Sequence, residues 1–141
     1  MNLLKSLFGK KPAKTMEDKD FGAISERTNG EWEGFTFQLW GHSSIQVMID
    51  ADENGPSETQ RAFVKGLQSD STGIRQRIEM AIAQEARKQI SQVSDLQISS
   101  IYFPGEPAHQ TWRIWYNVAG DNHYSYGVEI TGDSPQSFKE D

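Results

Sequence analysis

Not one of the 141 residues is cysteine. Disulfides, thiolate metal centres and cysteine nucleophiles are thereby excluded together, and a reducing, cytoplasmic setting is the expected one. Long apolar runs are also missing: nothing approaches the roughly 20 residues that a membrane-crossing helix needs. Proline is scarce, and none falls between Pro56 and Pro104, so the middle of the chain is free to be helical. The chain has no phosphate loop, dinucleotide glycine pattern or zinc-protease motif. "GHSSI" (41–45) lacks the glycine after the serine that a nucleophile elbow requires. His42, His109 and His123 are scattered, with no second histidine at metal-ligand spacing. No metal and no cofactor are expected, and enzymatic activity is not the first reading.

What is present is a folded composition, 35% hydrophobic and 11% aromatic, in a chain of ordinary single-domain length. The net charge of −6 is unevenly spread. Residues 1–14 carry four lysines and no acid; the remaining 127 hold 10 basic and 20 acidic side chains, a balance of −10. Such a body repels phosphate backbones, so no nucleic-acid partner is expected, and the same field attracts a basic protein.

The basic end, "MNLLKSLFGKKPAK", sets Leu3, Leu4, Leu7 and Phe8 on a short helical face with Lys5, Lys10 and Lys11 around and after it. The apolar stretch is interrupted by Lys5 and Ser6, unlike a secretory signal. These seven residues are the candidates for membrane contact, although one and a half apolar turns anchor poorly alone. Residues 1–19 are therefore read as a basic amphipathic tail and linker, 20–131 as one α+β domain, and 132–141 as a polar C-terminal tail.

Within that domain "FGAISER" reads as a strand. "EWEGFTFQLW" (31–40) alternates with Phe35, Phe37 and Leu39 on one side, and "SIQVMIDA" (44–51) with Ile45, Val47 and Ile49 inward. Ala62, Phe63 and Leu67 predict one helix; Ile74, Ile78, Ile82, Ala86, Ile90 and Val93 predict a second. Three strands follow, in 95–103, 111–118 and 123–130. Matching the apolar faces of the last two places Trp112 opposite Ile130. Arg113 then faces Glu129, Trp115 faces Gly127, and Asn122 falls in the turn. The expected fold is α+β: an antiparallel sheet in the order βββ-αα-βββ along the chain, with two helices packed on one face.

"DADENGPSETQ" (50–60) imitates a calcium loop, with oxygen ligands at Asp50, Asp52 and Asn54 followed by Gly55. Position 12 of such a loop must be a bidentate glutamate and is Arg61 here, and a strand rather than a helix precedes it. Ser57 with Gln60 instead forms a capping box, so a turn that starts a helix is the better account. Glu31 with Glu33, or Asp50 with Asp52, are the candidate carboxylate pairs for acid–base work, although adjacent acids on a strand edge or turn are usually just solvated.

"DFGAI" (20–24), "EWEG" (31–34) and "GPSETQRAFVKGL" (55–67) resemble a group of small bacterial α+β domains of unknown function. That group includes predicted immunity proteins of polymorphic toxin systems. The resemblance spans roughly residues 20–131 and brings no catalytic motif with it. It implies a non-enzymatic acidic interaction protein that binds and neutralises a cognate basic toxin. Trp40, Asp50, Asp52 and Glu53 are the candidate contact residues. The alternatives are a peripheral membrane adaptor anchored by the N-terminal segment and a small hydrolase using the paired carboxylates.

Overall fold

The structure, a computed structural model, describes residues 14–86, 96–121 and 124–140. Four strands come first: β1 (Thr15–Asp18), β2 (Gly22–Thr28), β3 (Glu31–Leu39) and β4 (His42–Asp50). Helices α1 (Glu58–Ser69) and α2 (Ile74–Ala86) follow. Four more strands complete the described chain: β5 (Leu96–Phe103), β6 (Thr111–Val118), β7 (Ser125–Thr131) and β8 (Ser134–Glu140). All eight strands lie side by side in chain order in a single sheet.

This corrects the expected βββ-αα-βββ antiparallel arrangement in two respects. Among the described residues the strands number four and four, and the sheet is mixed. β4 and β5 run parallel, with Gln46 opposite Ser100 and Ile49 opposite Phe103, while every other neighbouring pair is antiparallel. Parallel neighbours cannot be joined by a hairpin; they need a crossover, and the two helices lie within it. The extra strands, β1 and β8, fall in the stretches read as linker and tail. Both are polar edge strands, and β8 contains Pro135, which is tolerated at an edge where its missing N–H goes unused.

Register explains the core. Ile24, Gly34, Val47, Ile101, Ile114 and Val128 lie in one row across six strands, all buried on the inner face. Phe103 is ringed by Phe21, Phe37, Phe63 and Trp112, with centroids 5.8–6.2 Å away. The alternation predicted for β3 fails at one place. Between the Gly34–Val47 and Phe37–Ile45 pairs, Phe35 and Thr36 both face the single residue Gln46, a β-bulge. Phe35 is therefore not inward but 58% exposed. Trp32, Phe37 and Leu39 fill the core instead.

The helices are set by short-range chemistry. The capping box forms as expected: Ser57 Oγ accepts from Gln60 N at 3.1 Å, and Gln60 Oε1 accepts from Ser57 N at 2.9 Å. The buried row of α1 is Gln60, Val64 and Leu67, with Ala62 exposed and Phe63 half-buried. Gln60 also donates through Nε2 to Asp50 O (2.7 Å) and Pro104 O (2.9 Å), tying the ends of β4 and β5 to the helix start. Arg61, on the same turn, pairs with buried Asp18 at 2.8 Å. Burial alone would raise the Asp18 carboxyl, but the amides of Asp20 and Phe21 together with Arg61 outweigh it and hold it below the ordinary carboxylate value. Asp70, in the left-handed conformation, ends α1 and accepts from Arg75 N at the start of α2. Ile74, Ile78 and Ile82 bury as the periodicity requires; Ile90 and Val93 lie outside the described residues.

The β6–β7 hairpin has the register drawn from the sequence. Trp112 faces Ile130, Arg113 faces Glu129 at 3.2 Å, and Trp115 faces Gly127. The ring over Gly127 is however that of Phe138 on β8, whose Cζ would lie 2.3 Å from a Cβ built there. Asn122 lies outside the described residues.

Candidate interaction face

Both helices pack on the inner face of the sheet. No described element covers the other. Its central row runs Ser25, Glu33, Met48, Tyr102, Arg113, Glu129, Gln136 from β2 to β8. Met48, Tyr102, Trp115 and Phe138 are half-buried there, and Phe35, on β3 beside Ala23, Ser25 and Glu33, is 58% exposed. The face thus mixes half-buried apolar and aromatic side chains with charge, including the Arg113–Glu129 pair in its central row.

The acidic margin lies where β3 begins and β4 ends. Glu31 and Asp50 sit directly opposite each other in the antiparallel ladder. Like charges in that position repel. Neither has a cation within 4.0 Å among the described residues; each is met by a hydroxyl instead. Thr28 Oγ1 donates to Glu31 at 3.1 Å, and Tyr102 Oη donates to Asp50 at 2.5 Å. Burial first, and then this bond to Asp50, push the Tyr102 hydroxyl up to about 12, so at neutral pH it is a fixed donor. Glu33, two residues along, has Arg27 at 3.6 Å. A cleft of about 250 Å³ opens between these groups, with Trp32 and Met48 among its walls.

The candidate contact residues do not form one patch. Asp50, Asp52 and Glu53 stay together at this margin. Asp52 is occupied in the turn: its carboxylate accepts from Asn54 N at 2.8 Å, and its carbonyl accepts from Trp32 Nε1 at 2.9 Å and from Gly55 N at 3.0 Å. Glu53 lies 3.5 Å from Lys14. Trp40 is at the opposite end of β4, about 25 Å away at the usual strand rise. It forms the β3–β4 turn with Gly41, both with positive φ (53° and 84°). Its indole donates to Leu67 O at 2.7 Å, and the Arg75 guanidinium lies 5.7 Å from its ring centroid. These contacts close the carboxyl end of α1 and give Trp40 a structural task.

His42 is buried, with Nδ1 accepting from Ile98 N at 3.4 Å just before β5 joins the parallel ladder. His109 is exposed in the β5–β6 loop. His123 and the candidate membrane-contact residues Leu3, Leu4, Lys5, Leu7, Phe8, Lys10 and Lys11 lie outside the described residues. Among the described residues no helix is long and apolar enough to cross a membrane, and no group of three histidines or carboxylates is placed to hold a metal ion.

Tyr102, Met48 and Arg27 escaped the sequence reading. A row crossing β4 to β5 exists only in the parallel register, and no local pattern signals it. No protein-family model, curated protein or solved structure matches the chain.

Proposed function

We propose that this chain is a non-enzymatic, acidic interaction protein of the cytoplasm that binds a basic partner protein, most concretely an immunity protein that neutralises a cognate toxin. The observation that carries this reading is the uncovered face of the sheet, which bears exposed Phe35 on β3, half-buried Tyr102 and Trp115 on later strands, and the unneutralised carboxylates of Glu31 and Asp50. Aromatic anchors with a charged rim are the usual anatomy of a protein contact. The balance of −10 outside residues 1–14 supports a basic partner, which that field would steer into contact.

The test is affinity capture from the native lysate with the wild-type chain and with the Asp50→Ser, Asp52→Ser, Glu53→Ser triple variant. One stoichiometric basic protein, released by salt and lost by the variant, is the expected result. Equal capture by both chains, or a partner indifferent to salt, would refute the acidic margin as the contact.

A further inference from the structure

Three features of the acidic margin bear on what the partner presents. Glu31 and Asp50 face each other across one ladder position, so their head groups can be reached together by a single planar group. The half-buried ring of Tyr102 and the thioether of Met48 stand beside them, offering polarizable surface to a flat cation. The cations already on this face do not fill the role: Arg27 approaches Glu33 at 3.6 Å and is 61% exposed, and Arg113, beside Tyr102 in the ladder, pairs with Glu129 at 3.2 Å. Neither comes within 4.0 Å of Glu31 or Asp50. The cleft admits one long side chain and not an element of structure. Phe35, exposed on the same face, gives the surrounding surface an apolar contact point.

Resting on the interaction reading above, we infer that the uncovered sheet face docks an arginine-bearing surface of a basic protein, with one arginine side chain seated between Glu31, Asp50 and Tyr102. A guanidinium matches the site by charge and by shape. Its fork of donors can bridge two carboxylates while its plane lies against the aromatic ring, whereas an ammonium is a compact hydrated charge that gains little from either. The stem of the side chain packs on Met48, as long cationic side chains do on apolar surface. Seating the cation also relieves the Glu31–Asp50 repulsion that the free protein retains.

The experiment is an amide NMR titration of the full chain with two capped pentapeptides of equal length and charge, one alternating arginine with alanine and one lysine with alanine. The expected result is saturable shifts confined to the segments around Glu31, Asp50 and Tyr102, with the arginine peptide binding roughly fivefold tighter or better. Glu31→Gln with Asp50→Asn should abolish the preference. Glu85→Gln with Glu140→Gln, the same charge change on α2 and edge strand β8, should keep it. Equal binding of the two peptides, equal loss in both double variants, or saturable shifts elsewhere would overturn the arginine seat while leaving an acidic interaction protein standing. No saturable shift with either peptide would overturn both. The first double variant removes a repulsion, so it is expected to fold, and its unfolding midpoint is measured alongside.

Discussion

At Gln60 a leucine would keep the side-chain volume and remove three hydrogen bonds, those to Ser57 N, Asp50 O and Pro104 O. Gln60 is only 1% exposed, so water cannot simply replace the lost partner. A buried group left unsatisfied costs about 1–3 kcal/mol. Pro104 O lies deepest and is assigned about 2 kcal/mol. The other two groups are partly reached by solvent and are assigned about 1 kcal/mol each. Against this total of about 4 kcal/mol, the extra apolar burial of leucine returns about 1 kcal/mol. The expected net loss is about 3 kcal/mol, a large part of the roughly 5–15 kcal/mol that holds a domain together. At this chain length it lowers the melting temperature by about 10 °C.

Urea unfolding followed by tryptophan fluorescence reads this directly, and Gln60→Glu supplies a control with a sign. Glutamate keeps the bond to Ser57 N but turns a carboxylate toward two carbonyl oxygens. Its folded pKa must then rise above the unfolded value of about 4.3. A raised carboxyl pKa means that the folded state holds the proton more tightly, so the gap to wild type should be wide at pH 7 and narrower at pH 4. Less than about 1 kcal/mol lost in Gln60→Leu, or a gap in Gln60→Glu that ignores pH, would show that the three bonds do not join α1 to the strand ends as described.

Asp18→Asn should cost about 2 kcal/mol at pH 7, since Arg61 keeps Glu58 at 2.7 Å and is not stranded. The Asp18 carboxyl is lowered in the folded state, so its stabilisation is present above the unfolded value of about 3.9 and lost as pH falls through the folded one. The wild-type advantage in urea should therefore shrink below pH 4, and a constant advantage would contradict the pairing. Gly127→Ala drives a methyl into the Phe138 ring and should cost about 1–3 kcal/mol, but little in a Phe138→Ala background. Additive losses in that thermal-melt cycle would show that the two positions do not touch. Glu31→Gln should raise stability by about 0.2–1 kcal/mol, because it removes a like charge directly across from Asp50. A destabilised Glu31→Gln chain in the same urea assay would mean that the two carboxylates do not repel.

The parts of this molecule visible in its sequence are those decided within a few residues or by a short hairpin. Ser57 and Gln60 find each other because one helical turn brings them together. Arg113 meets Glu129 because only one register buries Trp112, Tyr116, Val128 and Ile130 at once. The errors share a different origin. A bulge adds a residue without changing composition, so counting by twos through "EGFTFQL" delivered Phe35 to the wrong face. β8 was missed because an edge strand needs one apolar residue to grip its neighbour, and Phe138 over Gly127 supplies it. The parallel β4–β5 seam is decided by the whole crossover, and the candidate site depends on it. Glu31, Asp50 and Tyr102 were each legible as strand residues, but nothing near any of them in the chain says that they are neighbours. Trp40 likewise meets partners far along the chain. An aromatic residue at a positive-φ turn is costly on its own, and the compensation lies in α1, where Leu67 O accepts its indole proton. An aromatic side chain that closes a helix end is spent on the fold, and the binding surface must be sought where aromatic residues have no such employment. On this sheet the proposed surface is the outer face, where Phe35 is 58% exposed and Trp115 half-buried.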